Sequence, residues 1–147
     1  MELMDNDSAA ASDGPLQATD DASGRVPGVE ELLGRGRYAA AERLLRREIG
    51  RLRRRGQLRG AGGVALELGY QHLLRGRVTS ALAEASEAEE LFTAANWPCG
   101  VVAGQLLAGW SLFEDDQLAE AEGTLRSALA GAVGHTHAVC IRAATLS

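Results

Sequence analysis

The groups able to do chemistry in this chain are few, and their spacing says what each is for. His135, His137 and Cys140 fall close together and offer three ligands to a zinc ion. Sites of that kind are completed by a second short pair, and none stands elsewhere in the sequence, so the expectation is an ordinary loop and no metal. His72 is isolated among apolar residues and suits a packing position between helices. Cys99 and Cys140 are the only cysteines. Two are too few for a disulfide scaffold, which points to free structural thiols in a cytoplasmic protein. There is no P-loop, no H-E-x-x-H and no glycine-rich dinucleotide turn after a strand. No serine or cysteine has a nucleophile's setting around it. The expectation is a protein that is not an enzyme and uses no cofactor.

Charge is the stronger signal. From Arg35 to Arg59 ten arginines face only Glu42 and Glu48. Arg43, Arg46, Arg47, Arg51, Arg53, Arg54 and Arg55 form the candidate basic patch. Its first reading is a solvated helix face, with arginine also favourable near a helix C-terminus. Its second is a seat for an acidic partner or for the chain's own acidic tail. Its third, well behind, is nucleic acid held through phosphates. Tyr38 is the only aromatic nearby for base stacking, and no helix-turn-helix follows.

At the other pole, residues 1–24 hold Glu2, Asp5, Asp7, Asp13, Asp20 and Asp21 and no base. The formal net charge of −5 therefore belongs to this segment. It is rich in Asp, Ser, Ala and Gly and cannot repay its ordering entropy, so residues 1–26 are assigned to a disordered acidic tail. It lacks the basic start and apolar run of a secretory signal. No stretch approaches the roughly 18 apolar residues that a membrane span needs. All 15 basic residues are arginine, as a GC-rich, bacterial genome would give.

The elements that position these groups follow from composition and period. With 147 residues, 46% hydrophobic and 24% charged, the chain is globular and long enough for one domain. Aromatics are only 4% against 18 glycines, so the core must be built from Leu and Ala with close backbone contacts. Gly36, Gly76 and Asp116 stand 40 apart, as do Ala41, Ala81 and Ala121, and Leu33, Leu73 and Phe113. Gly69 pairs with Gly109, Tyr70 with Trp110, Leu66 with Leu106, and His72 with Leu32 and Leu112. A fixed period of this length marks a repeat architecture. Each repeat reads as two helices. Leu66, Tyr70, Leu73 and Leu74 give one helical stripe; Ala81, Leu82, Ala85, Ala88, Leu91 and Phe92 give the next. Glu84, Glu87, Glu89 and Glu90 fall on the side expected to be wet. Nothing alternates with period two over a strand's length.

These residues resemble the tetratricopeptide repeats. Gly109, Ala121, Leu125 and Ala128 match that family's signature in full. Gly69, Ala81 and Ala88 match with Ala85 in place of the large residue; Ala41 and Leu45 match with Val29 and Glu48 departing from it. The period of 40 exceeds the family's usual 34, as in the long-helix arrays of bacterial transcription regulators. The resemblance implies an all-α, right-handed solenoid of helical hairpins over 27–147. Its repeats are about 27–57, 58–97 and 98–137, with a partial fourth at 138–147.

In such arrays the first helices line a concave groove that receives partner segments. Carried over by position, Leu66, Tyr70, Leu73, Leu74, Leu106, Trp110 and Phe113 would line it here, beside Glu30, Leu33, Gly63, Ala103 and Glu114. The implied function is a protein–protein interaction module. The alternative is the truncated sensory region of a larger bacterial transcription regulator. Residues 138–146 place Val139, Ile141 and Leu146 among alanines, an apolar end expected to self-associate if no further helix covers it.

Overall fold

The computed structural model describes residues 20–134, and they form six helices. These are α1 (Val29–Gly34), α2 (Tyr38–Arg54), α3 (Leu58–Leu74), α4 (Val78–Ala94), α5 (Pro98–Glu114) and α6 (Leu118–Gly134). No strand occurs among the described residues. No helix among them is long and apolar enough to cross a membrane.

The stops between helices are all of one kind. Each linker has three residues, and the middle one is left-handed: Gly36, Gly56, Gly76, Asn96 and Asp116, at φ 71°, 72°, 74°, 54° and 63°. The third residue's N–H then donates to the carbonyl five places back. Arg37 donates to Leu32 at 2.8 Å, and Gln57 to Leu52, Arg77 to His72, Trp97 to Phe92 and Gln117 to Leu112 all at 2.9 Å. This is the Schellman closure, which satisfies the last carbonyls of a helix. The same third residue's carbonyl accepts the first bond of the next helix, as from Ala61 to Gln57 and from Ala121 to Gln117. One short linker thus ends a helix and begins another. The left-handed residue recurs every 20 positions, half the period that aligning the hairpins displays.

Helix packing depends on side chains that are absent. Gly62 near the start of α3 faces Phe92 near the end of α4, while Gly69 further along meets Glu84. The two helices therefore run antiparallel. Gly109 against Leu125 and Gly131 against Val102 give the same for α5 and α6. Parallel neighbours also touch, since Gly69 of α3 meets Leu107 of α5. A methyl group at Gly62 would sit 2.7 Å from the Phe92 ring, and one at Gly100 would sit 2.3 Å from it. Phe92 is fully buried, as are Leu45, Leu68 and Leu107, among Ala61, Ala65, Ala81, Ala85 and Ala88.

The first helix is abbreviated. The other helices have 17 residues, α1 only six, and residues 20–28 cross α3 as a non-helical strap. Asp20 Oδ1 accepts a hydrogen bond from Gly60 N at 2.8 Å, satisfying a free donor in the first turn of α3. The Ala22 carbonyl lies so close to Gly63 that an added Cβ would approach it to 2.3 Å. Ala22 and Val26 pack against the core. Residues 20–26, which composition alone places in the tail, are therefore part of the fold. A charge count does not register a strap seated on glycines. Residues 1–19 lie outside the described residues, as do His135, His137, Cys140 and the partial repeat 138–147.

Ala81 and Ala121 are both buried at antiparallel crossings. Ala81→Leu and Ala121→Leu should each lower stability by about 1–3 kcal/mol through overpacking. Urea unfolding followed by circular dichroism measures this, and two variants as stable as the wild type would refute close packing there.

Candidate functional site

Trp110 and Phe113 lie on the last turns of α5 with their rings edge to face, centroids 5.9 Å apart and planes at 89°. Each keeps about half its surface in solvent, 45% and 49% respectively. Three residues of helix turn both rings to the same side. Leu74, at the end of the parallel helix α3, is 80% exposed and falls on that side by the repeat step. The remaining candidates are less open. Leu66 packs against the core, and Tyr70, Leu73 and Leu106 are half-buried. The exposed part of the predicted groove is thus Leu74, Trp110 and Phe113. Leu118, 56% exposed at the start of α6, adds an apolar residue beyond the linker that follows Phe113. Leu129 on α6 is also exposed. It stands one repeat after Glu89, the α4 residue that covers Gly104 of α5.

A polar cluster occupies the meeting of α2, α3 and α4. Glu42 of α2 lies 3.7 Å from each of Arg46, His72 and Arg77. Arg46 reaches on to Glu84 of α4, and Arg53 pairs with Glu87 at 3.0 Å. Glu84 is buried, and Glu87 and Glu89 are half-buried, so the wet-side assignment of these glutamates is corrected. Helix packing covers them, Glu84 against Gly69 of α3 and Glu89 against Gly104 of α5, while Arg46 and Arg53 of α2 pair with Glu84 and Glu87. Burial pushes the Glu84 carboxyl above the ordinary glutamate range, and Arg46 only partly opposes this. His72 is also buried, and its Nε2 lacks a hydrogen-bond partner. Desolvation pulls its pKa below 6.5, against the attraction of Glu42 and with the repulsion of Arg77, Arg46 and Arg75.

The basic patch divides accordingly. Arg46 and Arg53 are engaged with α4, and Arg51 pairs with Glu48 at 2.6 Å. Nearby, Arg59 stacks over Trp97 and Arg75 over Tyr38. Among the described residues Arg43, Arg47, Arg54 and Arg55 form no ion pair. A cleft of about 530 Å³ opens between Ala39, Glu42, Arg43, Arg46 and Arg47.

Cys99 is disulfide-bonded, which corrects the expectation of free thiols. A disulfide-bonded cysteine gives no ground for a reducing compartment. Among the described residues no group of His, Cys, Asp and Glu is arranged to hold a metal ion. No protein-family model, curated protein or solved structure matches the chain.

The cluster predicts a pH dependence. A histidine whose folded pKa is depressed is held neutral by the fold, so stability is lost as pH falls through 6.5 toward the folded value. His72→Leu, which installs the residue found at positions 32 and 112, should remove that loss. Denaturant midpoints of wild type and variant at stepped pH measure it. A difference between the two that is constant below 6.5 would mean that His72 does not titrate in this way.

Proposed function

We propose that this chain is a non-enzymatic docking module of the tetratricopeptide kind, taking an apolar helical or extended segment of a partner protein along its first-helix face. The observation that carries the reading is the half-exposed pair Trp110 and Phe113. Large aromatic side chains left in water are the residues that most often anchor a partner, because they bury much area at small entropic cost. The 40-residue step and the antiparallel hairpins support the tetratricopeptide assignment. The pairing of Arg46 and Arg53 with buried or half-buried glutamates speaks against α2 as a phosphate-binding face along its whole length. The same docking face would serve as the sensory part of a longer transcription regulator.

Selection from a random peptide library against the full chain tests the proposal. The expected ligands carry large apolar residues at helical or alternate spacing. Trp110→Ala should weaken them at least about tenfold, as for an aromatic anchor, with the helical circular dichroism spectrum unchanged. Phe113→Ala should act in the same direction. Peptides that bind both variants as they bind the wild type would place the docking face elsewhere.

A further inference from the structure

The unpaired arginines of α2 are not scattered. Arg43, Arg47 and Arg54 lie within about 40° of one another around the helix axis at about 100° per residue. All three are exposed. Gly50 falls between them, and a side chain there would run against the Arg54 guanidinium at 3.3 Å. The result is a shallow basic channel along α2, opening into the cleft beside Arg43, Arg46 and Arg47. It is cationic and poor in aromatics, which suits an extended acidic chain better than a stacked base.

We propose that the occupant of this channel is the chain's own N-terminal segment, residues 1–19. Two observations select it. The first is charge: the segment contains Glu2, Asp5, Asp7 and Asp13 and no basic residue. The second is where it is attached. The strap is fixed at Asp20 to the first turn of α3, and Gly60 there lies against Leu52 in the last turns of α2. The segment therefore departs near the C-terminal end of α2, from the core side that Leu52 occupies, and must pass around the helix to reach the arginines. Nineteen residues span up to about 65 Å when extended. The 17 residues of α2 cover about 26 Å, so the acids reach every arginine of the stripe. Tethering at the strap places the acids at a high effective concentration over the channel, so modest ion pairs suffice. An acidic partner of α2 must then displace the segment. This inference concerns a different face from Trp110 and Phe113 and stands or falls separately from the docking function.

The test uses the full chain beside a full chain carrying Glu2→Gln, Asp5→Asn, Asp7→Asn and Asp13→Asn. A synthetic peptide of residues 1–19 should bind the neutralised chain at least about tenfold more tightly than the wild type, whose channel is filled. Binding should vanish at about 1 M salt, where the screening length is about 3 Å. Adding Arg43→Ala, Arg47→Ala and Arg54→Ala to the neutralised chain should abolish it. In nuclear magnetic resonance spectra, the Nε–Hε signals of Arg43 and Arg47 should differ between wild type and neutralised chain. Equal affinity for both chains, or no binding to either, would overturn the proposal. So would binding lost on Trp110→Ala but not on the arginine changes. A single-stranded oligonucleotide that shifts the same arginines in the wild type at equimolar concentration would assign the channel to nucleic acid instead.

Discussion

Phe92 is the only large ring sealed inside the described fold, and it fits because two helices offer it bare backbone at Gly62 and Gly100. A chain with 4% aromatics cannot fill space with many large side chains. It brings its helices close enough that leucines and alanines suffice. Van der Waals attraction falls steeply with separation, so the core depends on these approaches being kept. Everything else in the fold is arranged around them. The linkers are short because closely packed helices end near one another, and α3 and α5 touch directly because Gly69 lets Leu107 in.

The same closeness has an electrostatic consequence. Packing α4 on α3, with the Glu84 Cβ against Gly69, carries Glu84 out of water, and a buried carboxylate is stable only when a cation follows it. Arg46 does so from a half-exposed position on α2. The arginine-rich helix is therefore not uniform. One side is committed to holding α4, and the other is left unpaired. That division is what gives α2 a directed basic stripe instead of a diffuse positive surface.

How much of this was legible in the sequence differs from residue to residue. The all-helical class and the hairpin step were readable from Ala41, Ala81 and Ala121, since a buried alanine at a crossing must recur with the crossing. The finer 20-residue beat was on the page as well, in Gly56 and Asn96. Comparing hairpin with hairpin hides it, because the two turns within a repeat are never set against each other. Burial of Glu84 was not legible. Periodicity reports which residues share a face, and α4 uses two faces, one toward α3 and one toward α5. The exposed site was half legible. Position alone offered seven apolar candidates, but only packing separates Leu66, which joins the core, from Trp110, which stays in water. The strap escaped entirely, since its contacts are one Asp20 side-chain bond to Gly60, backbone against Gly63, and Ala22 and Val26 on the core, a set with no period.

The uniform beat of helix and linker bears on how a gene of this kind can grow. Duplicating one helix with its linker would leave each turn chemically intact, because Gly, Asn and Asp all serve at the left-handed position. It would nevertheless reverse the direction of every later helix and bring second-helix surfaces to where first-helix surfaces belong. Duplicating a pair restores both direction and surface. Replication slippage in such a gene should be tolerated in even steps and punished in odd ones. The length that can be duplicated without loss of packing is therefore the hairpin, although the turn recurs with every helix.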